Sequence, residues 1–354
     1  MLAEWNTNSM AQSQALFDGV MKQSRCADVA CLTQMNATDL VAAATKAFAS
    51  DGTAHWGPTV DGVDTIDSPF KLTKKGHLHN GPLLLGTARD GKYQNTSDPT
   101  VACDDVAKIM LVITETCSLE GRDWSFGLTQ AAFEADTTSE YGSLGINVSK
   151  MVGLYGGSTR PSTTRSRRPV SEWWWAAIER SSDFSFHCPS RYAARQVASK
   201  GQPTFLFSYN VSLEMWAHWG GVQCVPHCAE LGGLFFAEPP DPKTPQGQLT
   251  ETMVRYLLRE LASNPPLPLC FRSNDETTIS RSRYFTSFAR TGDPNTEKAT
   301  GAPEWPAFNP TSGGGGENMI FALPAVGGAR AEAGYRGAQC DYWETLPGGP
   351  DGAQ

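Results

Sequence analysis

The sequence predicts an α/β fold, a mostly parallel sheet covered by helices, and three observations predict it. Apolar runs of strand length, bounded by Gly and Pro, occur at Pro82–Thr87 (PLLLGT), Thr204–Tyr209 (TFLFSY) and Met319–Leu323 (MIFAL). The segments between them are long and rich in helical patterns. Strands separated by long helical stretches are joined by crossovers, and crossovers make strands parallel. Three countable core strands are few for a self-sufficient sheet of this type.

In chain order, residues 11–23 (AQSQALFDGVMKQ) and 38–48 (TDLVAAATKAF) predict helices, the second opening at a capping cluster of Asn, Thr and Asp. Between them, Cys26 and Cys31 are close enough for a small disulfide-closed loop. The first strand, 82–87, follows. Residues 156–170 (GGSTRPSTTRSRRPV) read as an exposed insertion loop. Its arginines at 160, 165, 167 and 168 could meet an acidic partner, but a solvated loop is the simpler reading. Helices are predicted over 171–179, 189–199, 249–262 and 277–290, and Gly313–Gly316 reads as a surface turn. No internal repeat is visible, and residues 1–354 read as a single, partial domain.

Apolar residues make up 40% of the chain and charged residues 19%, the composition of an ordinary globular protein. The net charge of −8 carries no basic stripe, which speaks against a nucleic-acid partner. No run approaches the roughly 18 apolar residues of a membrane span. The start, Met1-Leu-Ala-Glu-Trp-Asn, has neither the basic region nor the apolar core of a signal peptide. Nine cysteines and four Asn-x-Ser/Thr sequons, at Asn36, Asn95, Asn147 and Asn210, nonetheless point to a secretory lineage. The expectation is therefore a secreted parent protein whose true N-terminus lies upstream of Met1.

The stretch richest in chemistry is Cys224-Val225-Pro226-His227-Cys228-Ala229-Glu230-Leu231. His227 has the setting of a general base, yet no serine of the chain sits in a Gly-x-Ser-x-Gly elbow. Cys224 and Cys228 with one histidine fall short of a tetrahedral zinc site, and their order is not that of haem attachment. No metal and no cofactor are expected.

Several separated motifs resemble one family. His55-Trp56-Gly-Pro-Thr-Val-Asp61-Gly62 is similar to the Trp-x-Pro-Val-x-Asp-Gly signature of type-B carboxylesterases, the cholinesterase and fungal-lipase family. Pro82-Leu-Leu-Leu-Gly86-Thr87-Ala-Arg-Asp90-Gly91 resembles the strand that ends in Asn-x-Asp-Glu-Gly. Asp183-Phe-Ser-Phe-His-Cys188-Pro189 resembles the helix that follows, and Thr204–Tyr209 the next strand. Gly221–Phe236 is similar to the histidine loop, Gly-x-x-His-x-x-Glu-Leu. Ser287-Phe-Ala-Arg-Thr291-Gly292-Asp293-Pro294-Asn295 with Trp305-Pro306, and Gln339-Cys340-Asp-Tyr-Trp343, complete the series. Their order holds over about residues 11–347, the C-terminal portion of the family, so the resemblance implies part of an α/β-hydrolase fold with the nucleophile elbow missing.

By position, the resemblance makes His227 the base of a Ser-His-acid triad. The family's acid is a Glu before Gly, and that Glu is absent: an ungapped match puts Gly91 there, a one-residue deletion puts Asp90 there. Glu230 keeps a second carboxylate of the loop, and Cys228 replaces a family Gly. The resemblance also implies disulfides Cys26–Cys31 and Cys188–Cys340; Cys103 and Cys117 could pair, which leaves Cys224, Cys228 and Cys270. Trp173–Trp175 and Trp216–Trp219 read as core and sheet packing, although in acetylcholine-binding relatives such residues line a gorge. The leading expectation is a serine esterase or lipase acting on a small ester or lipid once completed by an N-terminal half, with this chain inactive alone. The alternative is a non-catalytic, cholinesterase-like binding or adhesion module. A hydrolase with a non-standard nucleophile, such as Cys228, is the least favoured reading, because sequence neighbours on a loop rarely point at each other.

Overall fold

The structure, a computed structural model, describes residues 7–51, 57–77, 80–90, 127–160, 169–211, 225, 284–298, 301–311, 316–322 and 327–346. They form two compact units, 7–77 and 80–346.

In the first unit, β1 (Asn8–Ser9) runs parallel to β2 (Thr59–Val60). Ser9 also opens α1 (Met10–Ser24) with a capping box: its hydroxyl accepts the Gln12 N–H, and the Gln12 side chain accepts the Ser9 N–H at 2.8 Å. Two donors that a helix start leaves open are thereby satisfied. After α2 (Val29–Gln34) comes α3 (Ala37–Asp51), which lies on α1. Leu16 and Val20, one turn apart, bury against Ala47, with Leu40 and Ala44 at the margin. Gly19 permits the close approach, since a Cβ there would stand 3.1 Å from that of Ala47. The Asp61 carboxylate accepts the N–H groups of Val63, Asp64 and Thr65, closing the turn before α4 (Pro69–Lys75). A cleft of about 470 Å³, lined by Leu16, Phe17, Val20, Leu40 and Ala44, opens along the helix pair.

The second unit is built on a sheet ordered β3 (Leu83–Ala88), β4 (Thr204–Tyr209), β5 (Glu317–Phe321), β6 (Arg330–Ala333). The first three strands are parallel and β6 is antiparallel to β5, so the sheet is mixed. Its helices are α5 (Gln130–Tyr141), α6 (Val148–Tyr155), α7 (Glu172–Ser182), α8 (Cys188–Ala198), α9 (Tyr284–Thr291) and α10 (Gly337–Thr345). A single π-helical turn, Asp183–His187, joins α7 to α8. Strand β4 is buried along its whole length, which requires cover on both faces. Its odd residues, Phe205, Phe207 and Tyr209, enter a cluster with Tyr284, Trp305 and Phe321; Leu206 enters another with Ala194 of α8. Gly86 of β3 is open to solvent, yet its hydrogen is needed, because a Cβ would lie 1.8 Å from the Phe207 ring.

Trp174 and Trp175 are buried in the α7 core, whereas Trp216 and Trp219 lie outside the described residues. In the segment 156–170, Gly157, Thr159 and Pro169 are exposed. Arg160 folds back with 13% of its side chain exposed, and Val170 is buried; residues 161–168 lie outside the described residues. The helix expected at 249–262 and the first part of that at 277–290 also lie outside them.

Candidate active site

Strand β3 delivers its chain to a turn at Arg89–Asp90, where a buried, multiply bonded carboxylate sits. Asp90 is buried, its side chain 1% exposed. Oδ1 pairs with the Arg160 guanidinium, and Oδ2 accepts from Arg89 (3.2 Å) and from the Val225 N–H (2.8 Å). The Asp90 N–H in turn donates to the Val225 carbonyl at 3.0 Å. Burial alone would push the carboxyl towards its neutral form, but the two guanidinium charges and the Val225 N–H outweigh it and hold Asp90 below the ordinary carboxylate value. It is a fixed negative charge at neutral pH.

Arg160 is positioned from the far side. Its guanidinium stacks 4.1 Å from the Trp175 ring and reaches Glu179 of α7 at 3.5 Å. Glu179 also pairs with Arg336, whose fork grips Asp183, which in turn accepts the Tyr155 hydroxyl at 2.9 Å. The carboxylate thus stands at the edge of a buried ionic network that ties α7, α10 and the π-turn together.

His187, on that π-turn, buttresses the same exit turn. Nε2 lies 3.0 Å from the Arg89 carbonyl, which can only accept, so this nitrogen carries the proton. Nδ1 then accepts from the Thr87 hydroxyl at 2.8 Å. Burial lowers the pKa of His187, which keeps the ring neutral. Sequence reasoning assigned no role to His187 and placed Arg160 on a solvated loop. Nothing in the local pattern marks either, because their partners are 98 and 70 residues away.

His227 lies outside the described residues, as do Cys224, Cys228 and Glu230 of its loop, Asn95, and Cys103, Cys117 and Cys270. Val225, two residues before His227, is described and fully buried. Disulfides join Cys26 to Cys31 and Cys188 to Cys340. Asn36 and Asn147 are exposed at helix starts; Asn210 is half-buried at the end of β4, where its N–H bonds the Phe321 carbonyl. Among the described residues no group of His, Cys, Asp and Glu converges as metal ligands.

The family model described as "Carboxylesterase family" matches residues 2–343. Acetylcholinesterase 1 of Caenorhabditis elegans is 22% identical over 301 residues, which are 83% of this chain and 42% of that protein. Secreted lipase 4 of Gibberella zeae is 22% identical over 326 residues, 91% of this chain and 47% of the lipase. Among solved structures, EstA of Aspergillus niger superposes with a TM-score of 0.58 at 15% identity, covering 96% of this chain and 56% of EstA. The carboxylesterase EST55 of Geobacillus stearothermophilus gives 0.59 at 16% identity, covering 95% and 55%. The chain thus spans about half the length of the relatives it matches, and it shares the α/β-hydrolase fold of its structural neighbours. With a family match over nearly all of its residues, the chain belongs to the carboxylesterase family.

Proposed function

We propose that this chain supplies the base-bearing part of a serine esterase or lipase. His227 takes the proton of a serine that attacks the ester carbonyl and returns it to the leaving alcohol; water then releases the acyl group by the same route. Asp90 is the carboxylate that serves this histidine. The observation that carries the reading is the pair of hydrogen bonds between Asp90 and the backbone of Val225, which puts a buried, ionised carboxylate at the root of the histidine-bearing segment. The 354 residues hold no Gly-x-Ser-x-Gly serine, so on its own the chain hydrolyses no ester. An extracellular setting for the parent protein is supported by the two disulfides, by the exposed sequons at Asn36 and Asn147, and by a relative named as a secreted lipase.

The absent Glu before Gly91 favours a second reading, a non-catalytic binding module on the esterase fold. Hydrolysis of p-nitrophenyl acetate separates the two, measured on the product of the full open reading frame that contains these residues. The catalytic reading expects turnover that His227→Gln lowers by roughly 10²-fold or more. No turnover, or turnover indifferent to His227→Gln, would overturn it and leave the binding module.

A further inference from the structure

We infer that Asn36 and Asn147 carry N-linked glycans in the mature protein and that Asn210, the third described sequon, stays bare. The inference rests on the extracellular setting proposed above and says where that setting marks the chain.

The three triplets, Asn36-Ala37-Thr38, Asn147-Val148-Ser149 and Asn210-Val211-Ser212, are equal as sequence, each with a hydroxyl two residues on and no proline between. The structure separates them. In the transfer, Nδ2 of the asparagine bonds to the anomeric carbon of a lipid-linked oligosaccharide. The bond from that carbon to the lipid pyrophosphate breaks, the pyrophosphate leaves with the electron pair, and Nδ2 gives up one proton. Oδ1 is untouched. A bulky, solvated group on Nδ2 fits the folded chain only where that nitrogen faces open space, whereas Oδ1 can be fully engaged.

Asn36 and Asn147 meet this condition. Both are exposed and both stand at a helix start, where the main chain occupies Oδ1. That of Asn36 accepts the Thr38 N–H at 2.8 Å ahead of α3, and that of Asn147 accepts the Lys150 N–H at 3.0 Å as the cap of α6. These bonds turn the oxygen of each carboxamide to its helix, and among the described residues neither Nδ2 has a partner. The sequon hydroxyls of Thr38 and Ser149 are exposed as well. A glycan on Nδ2 leaves both helix starts as they are.

Asn210 does not meet it. Its N–H continues the ladder from β4 to β5 by donating to the Phe321 carbonyl at 2.7 Å, and its Oδ1 accepts the Ser208 hydroxyl at 2.9 Å. Ser208 and Val211 are fully buried, and Val211 belongs to the cluster of Tyr209, Trp305 and Phe321. The side chain thus turns back towards a buried hydroxyl, and a glycan has room there only if the end of β4 leaves the sheet.

The test counts glycans by gel mobility, with and without peptide-N-glycosidase F. It uses the product of the full open reading frame that contains these residues, secreted from a eukaryotic host. Each sequon is removed through its hydroxyl, by Thr38→Ala, Ser149→Ala or Ser212→Ala, so that the asparagine itself and its Oδ1 bonds stay. Thr38→Ala and Ser149→Ala should each lose one glycan step, their double variant two, and Ser212→Ala none. Each variant is read as a difference from the parent, so the count does not involve Asn95, which lies outside the described residues. All steps retained in Thr38→Ala or in Ser149→Ala would overturn the inference, as would a step lost in Ser212→Ala. Should a variant not be secreted, mass spectrometry of the parent reads the same three sites, because the glycosidase turns each occupied asparagine into aspartate labelled from heavy-oxygen water. Label is then expected at Asn36 and Asn147; its absence at either, or its presence at Asn210, overturns the inference. A secreted protein with another pattern sinks the site assignment alone. A parent retained in the cytosol without glycans sinks the extracellular setting with it, and ester turnover is tested independently of both.

Discussion

The first unit buries Leu16, Val20 and Ala47 between two helices and leaves Met10, Phe17, Val41 and Val63 exposed. The second buries Trp174, Trp175, Trp305 and Tyr284 completely and threads its helices with ion pairs, Arg180–Asp136, Arg336–Asp183 and Arg191–Glu344. Apolar area is non-directional and tolerates small shifts, whereas a buried ion pair is worth having only in one geometry. The carboxylate at the root of the histidine-bearing segment is in the second unit, where packing and charge geometry together define each position. Among the described residues, the first unit is held by a cap, a short disulfide loop, the two-residue pairing of β1 with β2 and the seam of α1 with α3.

Removing each disulfide should sharpen this contrast most. Cys188 and Cys340 are 152 residues apart and Cys26 and Cys31 only 5. In the chain-entropy account, replacing the long-range pair by alanines should cost about 5 kcal/mol and the short-range pair about 2 kcal/mol. Urea unfolding of the two double variants checks the difference; equal losses would break the contrast. Next in size, Trp305→Ala should cost about 4 kcal/mol by emptying the aromatic cluster of β4 and β5, and core amides of the first unit should keep their hydrogen-exchange protection.

A smaller effect follows from His187. Its pKa is lowered in the folded state by burial, so unfolded chains bind the extra proton. The stability this neutral ring protects is fully present above pH 6.5, the ordinary value, and is lost as pH falls from there through the lowered one. The slope is at most about 1.4 kcal/mol per pH unit, the limit for one proton. Exchange rates of second-unit amides between pH 7 and 5, corrected for intrinsic rates, measure it, and His187→Gln should flatten the response. The smallest change is Ser9→Ala, which removes half of the capping box of α1 and should cost about 1 kcal/mol, confined to the first unit.

Elements with a strong period or an apolar run were legible in the sequence. The helices at 11–23, 38–48, 171–179 and 189–199 correspond to α1, α3, α7 and α8, and the three strand runs correspond to β3, β4 and β5, the last beginning two residues early at Glu317. Strand β6 (RAEA) was not legible, because an edge strand with alternating exposure and two charges has no apolar run. Helix α5 (QAAFEADTTSEY) hid for a related reason: Phe133, Thr137 and Tyr141 form a single buried stripe at i, i+4 and i+8, one of them polar. At the site, Asp90 stood in the sequence as one of two placements that the family resemblance offers, and its buried partners were not legible. Arg160 and His187 were not, since a charge in a Gly/Ser-rich stretch and a histidine in a helix-like run give no local sign of distant partners.

The function proposed for this chain is to carry the base of a serine esterase. The most direct measurement is the nucleotide sequence of its transcript, read in frame upstream of Met1. The expected result is an open frame that encodes a Gly-x-Ser-x-Gly elbow, with the serine intact, ahead of the segment that holds Asp90 and His227. A stop codon immediately upstream, together with a product of 38.3 kDa in the cell, would contradict it, as would glycine or alanine in place of the elbow serine.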